Sequence, residues 1–212
     1  NAIWDAMERK EIYGTSGPRI LLWFDEVSNQ EINPMGSSLS LSNNPKFIVK
    51  AVGSFKQKAG CEDFVMDGLP REKIDTLCGG ECYNPSSERL NIIRIEVIKI
   101  TPQISPDEKI DNLIQDPWLV LPCDGENGCE VEFEDPSFIE DDRQSIYYVR
   151  AIQEPTDTIN GDNLRCKYDS EGNCIEVNPC WGDYRVDSED ACLSKEEHRA
   201  WSSPIYISKN NS

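Results

Sequence analysis

The sequence predicts a mainly β protein, an antiparallel β-sandwich with long disulfide-stapled loops and a short N-terminal helix. Short segments with alternating apolar and polar residues recur along the chain, separated by loops rich in glycine, proline and asparagine. Such alternation is typical of antiparallel sheets that have one face in the core and one in water. Six or more strands of this kind favour a sandwich. Most of the nine cysteines stand in the loops, where disulfides would staple them.

A helix opens the chain, and strands follow it. Residues Ala2–Glu11 are predicted to be helical because Ile3 and Met7 stand four positions apart. The segment Gly14–Arg19, with the sequence GTSGPR and called the GTSGPR segment below, ends this helix, since Gly-Pro cannot continue it. One further turn of helix is predicted over Glu196–Trp201. The predicted strands are Arg19–Val27, Lys46–Val52, Leu90–Ile100, Cys129–Phe133, Ser145–Ile152 and Pro204–Ser208.

The alternation within these strands also predicts the core. In Leu90–Ile100, the residues at positions 93, 95 and 97 are apolar and those at positions 94 and 96 are charged. Side chains alternate between the two faces of a strand, so the apolar set faces inward. The expected core residues are Ile93, Ile95, Val97, Val131 and Val149.

The charge balance excludes one class of partner. The chain has 21 Lys and Arg against 39 Asp and Glu, a formal net charge of -18 at pH 7. The phosphate backbone of a nucleic acid would be repelled, so no nucleic-acid partner is expected. No run of residues approaches the roughly 18 apolar residues of a membrane helix, so no membrane span is expected. The acidity fits either solubility or local Ca²⁺ binding through carboxylate-rich loops.

The cysteines predict disulfides, and disulfides predict an exported protein, extracellular or periplasmic. Connectivity cannot be deduced from spacing alone, and pairing of near neighbours is one possibility among many. A zinc knuckle at residues 78–82 is the alternative for the first pair. The neighbour pairs are Cys78–Cys82, Cys123–Cys129, Cys166–Cys174 and Cys180–Cys192, which leaves Cys61 over.

Several segments in order carry a resemblance to a known family. They are AIWDAMERKEIYGTSGPRI, the pair Met35-Gly36, PKFIVKA, IEVIK, EDPSF, YYVRAIQEP and AWSSPIYI. Together they resemble the C-terminal part of a large bacterial family of unknown function. Its full-length members are similar to the polymerase-and-histidinol-phosphatase (PHP) superfamily of metal-dependent hydrolases, whose carbamate-hydrolysing relatives carry a similar TSGP segment. Two cysteine-rich insertions, Ser54–Arg89 and Glu154–His198, lie outside the resemblance.

The resemblance implies a domain plan and a function. Residues 1–18 would be the last helix and turn of an N-terminal barrel, which binds a divalent transition metal. Residues 19–212 would form a non-catalytic C-terminal β-sandwich that completes or shields this barrel, its expected partner. The residues expected near the mouth of the barrel, as substrate contacts, are Thr15, Ser16 and Arg19.

A binding module for an extracellular carbohydrate or another ligand is the alternative function. Exposed aromatic side chains can stack on sugar rings, since they present a large apolar face beside polar groups. Three aromatic residues close to loops are candidates for this role, although packing in the core or against disulfides is the competing interpretation. They are Trp118, Trp181 and Tyr184.

The histidine count argues against catalysis by the chain itself. A hydrolytic metal site of this superfamily needs several imidazole and carboxylate ligands, and the chain has one histidine, His198. No catalytic residue is therefore expected. The charged surroundings of His198 predict an exposed helical position, and a triad with Ser202, Ser203 or a cysteine is the alternative.

Ca²⁺ is the one cofactor that the chain itself could hold. Acidic loops are frequent, although none follows the spacing of an EF-hand. The segment DTINGDN has the highest density of side-chain oxygens around a glycine turn, and a simple solvated loop is the competing interpretation. The candidate ligands are Asp157, Asn160 and Asp162.

Overall fold

Strands dominate the computed structural model, which describes residues 2–28, 31–58, 63–68, 70, 72–73, 85–125, 128–181, 185–187, 189–190 and 192–210. The helices of this part are α1 (Ala2–Glu8) and the short Asp63–Gly68, Phe138–Asp141 and Gly161–Arg165, with a 3₁₀ turn at Ile110–Asn112. The strands are β1 (Tyr13–Thr15), β2 (Leu21–Glu26), β3 (Asn33–Pro34), β4 (Ser38–Leu41), β5 (Lys46–Val52), β6 (Phe55–Gln57), β7 (Pro85–Arg89), β8 (Ile92–Ile100), β9 (Ile114–Pro122), β10 (Cys129–Glu134), β11 (Ser145–Gln153), β12 (Thr156–Ile159), β13 (Lys167–Tyr168), β14 (Cys174–Glu176), β15 (Leu193–Glu196), β16 (Arg199–Ser202) and β17 (Ile205–Lys209).

Two sheets pack face to face and confirm the predicted fold class. The larger sheet has the order β1-β16-β11-β17-β4. In addition, β8 pairs with the other edge of β11, and β9 pairs with β8. Its pairs are antiparallel except β17 with β4. The smaller sheet has the order β10-β5-β2-β3 and is antiparallel throughout. Two-stranded ribbons, β6–β7, β12–β15 and β13–β14, extend from this sandwich.

Aromatic rings fill the middle of the core. Phe47 stacks on Phe133 with ring centroids 4.8 Å apart and on Phe24 at 5.4 Å, all three from the smaller sheet. Tyr147 of the larger sheet approaches Phe47 at 4.9 Å, so the rings join the two sheets. All but Phe133 have no solvent exposure, and Phe133 keeps 9%.

Burial is confirmed for three of the five predicted core residues. Ile95, Val97 and Val149 are fully buried, and Val131 packs against the core from a half-buried position. Ile93 is only half-buried, and Ile92 takes the inward position instead. The reason is a register shift: Ile152 pairs with Arg94 and Gln153 with Ile92, so the pairing skips residue 93.

All six predicted strands are present, with ends that differ by at most two residues. The helix α1 ends at Glu8 rather than Glu11, because Lys10 adopts a left-handed conformation with φ of 59°. The predicted helical turn at Glu196–Trp201 is wrong. The strands β15 and β16 occupy that region, and in β16 Ala200 and Ser202 point inward.

Three of the predicted disulfides are present, each with Cα atoms 5.5 Å apart. Cys123–Cys129 joins the end of β9 in the larger sheet to the start of β10 in the smaller one. Cys166–Cys174 closes the β13–β14 ribbon, and Cys180–Cys192 closes the loop before β15. Cys61 and the predicted pair Cys78–Cys82 lie outside the described residues. In the described part of the chain, no helix is long and apolar enough to cross a membrane.

Candidate functional site

The GTSGPR segment crosses from one sheet to the other at an edge of the sandwich. Its first residues belong to β1, which pairs with β16 at the edge of the larger sheet, with Thr15 opposite Ala200. The following residues lead into β2 of the smaller sheet. Gly17 allows the crossing because its φ of 131° is one that side-chain-bearing residues rarely adopt. Ser16 and Arg19 are thereby placed beside the loop between β15 and β16.

That loop carries His198, whose ring is held from both sides. The side chain is 8% exposed, with Nδ1 at 3.1 Å from Ser16 Oγ and Nε2 at 2.9 Å from Thr158 Oγ1. Ser16 Oγ also accepts the backbone N–H of Arg199 at 3.0 Å. A hydroxyl can both donate and accept, so each ring nitrogen of His198 has a hydrogen-bond partner in either neutral tautomer. The prediction of an exposed, helical His198 is therefore wrong, because the flanking strands turn its ring inward.

The surroundings of His198 favour a neutral imidazole. Burial lowers the pKa of His198 below its ordinary value of 6.5, since the charged ring would lose its hydration. The third group, Thr158, is an uncharged hydroxyl, whereas a Ser-His-Asp site uses a carboxylate to hold the imidazolium. Ser202 Oγ, the alternative triad partner, instead accepts the backbone N–H of Val149 at 3.0 Å.

A cleft of about 710 Å³ opens beside His198. This volume lies within the range of small-molecule sites, roughly 300–1,000 Å³. The GTSGPR segment contributes one wall, the β6 strand and the residue after β7 a second, and the start of β12 a third. Thr15 remains within β1 and is not among the described residues that line the cleft. Those residues are Gly17, Pro18, Arg19, Ser54, Phe55, Lys56, Gln57, Leu90, Thr156, Asp157 and His198.

Buried contacts fix the second wall. Gln153 has no solvent exposure, and its Oε1 accepts hydrogen bonds from Ser54 N at 2.8 Å and Ser54 Oγ at 2.9 Å. A Cβ atom on Gly53 would lie 1.8 Å from the carbonyl oxygen of Leu90, so only glycine allows this close approach of the two chains. These contacts hold the second wall of the cleft in place.

The three Ca²⁺ candidates have separate protein partners. Asp157 forms an ion pair with Lys195 at 3.0 Å. The side-chain amide of Asn160 bonds to the backbone of Cys180, and Asp162 accepts the hydroxyl of Tyr168 at 3.2 Å. Within the described ranges, no group of three or more His, Cys, Asp or Glu residues is placed to hold a metal ion. Ca²⁺ binding at this loop stays a prediction.

The aromatic candidates divide between core and surface. Trp118 packs edge-on against Phe133, with ring centroids 6.2 Å apart, and therefore belongs to the core. Trp181 is 57% exposed and lies beneath the guanidinium of Arg185 at 4.2 Å. Tyr184 lies outside the described residues.

The sequence-based search missed Trp23, which is 47% exposed on the outer face of the smaller sheet. It lies opposite Lys50 and beside Asp25 in a groove of about 670 Å³. Its neighbours Leu22 and Phe24 point into the core. The alternation in the predicted strand Arg19–Val27 was the signal that could have identified it.

The fold and the cleft define a disulfide-bonded protein, mainly β, with a ligand-sized site at the edge of its sandwich. A family described as "Protein of unknown function (DUF3604)" matches residues 1–59. The matched residues include α1, the GTSGPR segment and the strands from β1 to β6. The match thus covers little more than a quarter of the 212 residues. No curated protein and no solved structure matches the chain.

Proposed function

We propose that the chain is a non-catalytic domain of an exported protein, and that it covers a PHP-type metal-dependent hydrolase barrel. The observation that carries this proposal is the apolar surface of α1. Ile3, Trp4 and Met7 are 79%, 61% and 52% exposed, and no residue of the helix is buried. Residues three and four positions apart share a face of a helix. A helix of seven residues is unstable alone in water, so this face needs a covering surface.

The segment that follows α1 is fixed to the sandwich. A Cβ atom at Gly36 would lie 2.5 Å from the carbonyl oxygen of Lys10, and the backbone N–H of Ser203 donates to Ile12 O at 3.0 Å. The helix is therefore held at the edge of the sandwich while its apolar residues remain exposed. This arrangement suits a contact with a neighbouring domain. The family match runs from α1 into the strands of the sandwich, which supports a single unit made of the helix and the sandwich.

Three further features support the details of the proposal. The single histidine has an uncharged hydroxyl partner on each ring nitrogen, which favours a domain without hydrolytic chemistry of its own. The divalent transition metal would then belong to the barrel. Three disulfides favour an oxidising compartment, extracellular or periplasmic.

The test compares the accessibility of Trp4 in this chain and in a longer protein that includes the preceding barrel. Acrylamide quenching of Trp4, obtained as the difference between the parent protein and Trp4→Phe, is expected to be efficient in the chain alone. In the longer protein we expect quenching of Trp4 to fall well below that in the chain alone, because the barrel covers the ring. Trp181 serves as the matched control through Trp181→Phe, since it is 57% exposed in the segment between β14 and β15.

The proposal fails if Trp4 is quenched as efficiently as Trp181 in the longer protein. Assays of aryl ester and aryl phosphate hydrolysis with Zn²⁺, Mn²⁺ or Mg²⁺ complete the test. Turnover is expected from the longer protein and not from this chain. Turnover by the chain that disappears in His198→Ala would instead assign catalysis to the pair of Ser16 and His198.

An extracellular carbohydrate-binding module is the second candidate, and Trp23 is the observation that favours it. Its exposed ring lies in a groove with Lys50, Asp25 and Glu130, which gives a stacking surface beside hydrogen-bonding groups. We expect Trp23→Ala to weaken binding of a probe such as cellohexaose roughly tenfold, measured by calorimetry. Equal binding by the parent chain and Trp23→Ala, or none by either, would exclude this groove as a sugar site. Trp181→Ala is the control and should change nothing.

A further inference from the structure

We infer that the cleft beside His198 binds a small organic anion, whose charged group pairs with Arg19 and whose apolar body contacts Phe55 and Leu90. The inference does not depend on the proposed function, because every residue in the argument belongs to this chain.

Charge is the first reason. The chain has a formal net charge of -18, yet the structure shows no carboxylate within ion-pair distance of Arg19 in the part of the chain that it describes. Among the described lining residues, Asp157 is the one acid, and Lys195 already pairs with it at 3.0 Å. Lys56 adds a second positive charge to the lining and is 3.5 Å from Glu88 at the surface. The cleft therefore offers an uncompensated cation on a strongly acidic protein.

The geometry of a guanidinium decides which anions fit. Its planar fork of N–H donors matches two oxygens of a carboxylate or phosphate group at once. Arg19 follows directly after Gly17 and Pro18, so the crossing between the sheets sets the position of its backbone. The preferred partner is thus an oxyanion with at least two oxygens on one centre.

The walls of the cleft supply the second half of the ligand. Phe55 is 38% exposed, and the guanidinium of Arg89 stacks on its ring at 3.8 Å from the centroid. Arg89 also donates to the carbonyl oxygen of Gly53 at 2.7 Å, which holds this stack in place. Phe55 and Leu90 therefore form a fixed apolar wall, and binding there costs little ordering of side chains.

His198 adds a rigid, uncharged ring to the lining of the cleft. Both ring nitrogens are occupied by hydroxyl partners, so the imidazole cannot rotate without losing two hydrogen bonds. A neutral ring beside the ligand leaves Arg19 as the principal charge for recognition. The cleft volume of about 710 Å³ accommodates an aromatic or alicyclic ring together with its anionic group. The ligand class is therefore a ring-bearing carboxylate or a phosphate ester of similar size.

The test titrates this chain with benzoate, phenyl phosphate and the neutral analogue benzamide, followed by calorimetry and by chemical shifts of the cleft residues. At least one anion is expected to bind with a Kd of about 1 mM or lower, since the contact is small. The tighter of the two identifies the anionic group as carboxylate or phosphate. Benzamide is expected to bind at least tenfold more weakly than that anion.

Two variants separate recognition from overall charge. Arg19→Gln is expected to weaken anion binding roughly tenfold, whereas Lys58→Gln removes one exposed positive charge outside the cleft lining and should have no comparable effect. Both residues are exposed, so both variants should unfold at the temperature of the parent chain. Absence of saturable binding, equal weakening by the two variants, or no effect of Arg19→Gln would each overturn the inference.

Discussion

Replacing Asp135 by asparagine is expected to lower the free energy of unfolding by about 3 kcal/mol, because it leaves a buried ammonium without its counter-charge. Lys99 is 3% exposed, and its Nζ lies 2.6 Å from Oδ2 of the fully buried Asp135. Tyr147 donates its hydroxyl to the same oxygen at 2.6 Å. Asp141 reaches Lys99 at 3.2 Å but is half-exposed, so it compensates only in part. Urea denaturation of the two proteins measures the difference.

The same cluster makes stability depend on pH. Burial opposes ionisation of Asp135, but the hydrogen bonds from Lys99 and Tyr147 outweigh it and hold the pKa of Asp135 below its ordinary value of 3.8. A carboxylate with a lowered pKa in the folded state stabilises above the unfolded pKa, and this contribution is lost as the pH falls through the folded value. We therefore expect the difference between the parent chain and Asp135→Asn to shrink below a pH of about 4.

An exposed ion pair provides the matched control for Asp135→Asn. Glu130 is 3.1 Å from Lys50 on the outer face of the smaller sheet, and both side chains are at least half-exposed. Glu130→Gln should cost less than about 1 kcal/mol, since water screens the pair. A loss from Asp135→Asn no larger than the loss from Glu130→Gln would show that the buried cluster does not contribute as described.

The second large effect is expected at Ile95, where replacement by alanine should cost about 2–5 kcal/mol. Ile95 is fully buried in β8, and it pairs with Ala151 of β11 on one side and Leu121 of β9 on the other. Truncation leaves a cavity at the centre of the larger sheet, because neighbouring strands cannot close around it. Ile104→Ala is the control, since Ile104 is 78% exposed and should cost almost nothing. A loss below about 0.5 kcal/mol for Ile95→Ala would contradict its assigned position.

The sequence was sufficient to predict strands in which apolar and polar residues alternate without interruption. The strands β5 and β11 follow the predicted ranges closely, because each places apolar residues on the core face at every second position. The nine-residue β9 was missed, since Pro117 lies within it and proline is rare in strands. Proline is tolerated there because, among the residues that the structure describes, β9 lies at the edge of the sheet and pairs with β8 alone.

The candidate site was only partly predictable, for a reason of topology. The resemblance pointed to Ser16 and Arg19, yet nothing local to either predicts contact with the loop that carries His198, and Ser16 is 182 positions from that histidine. The misassigned helix at residues 196–201 concealed the connection, because charged residues there were interpreted as a solvent-exposed surface. The inward Ala200 and Ser202 of β16 would have indicated a strand instead.

The pairing of early and late strands also determines when the fold can close during synthesis. The Arg199 N–H to Ser16 bond spans 183 positions, and the Ser208 hydroxyl bonds to Leu39 O across 169. The larger sheet thus lacks β16 and β17, both neighbours of β11, until about residue 209 is available. The three disulfides span only 6, 8 and 12 positions. Because local contacts form faster than distant ones, these loops can oxidise while the sheet is still open. An oxidant that reaches the chain before the larger sheet closes would therefore join cysteines that are close to each other in the sequence.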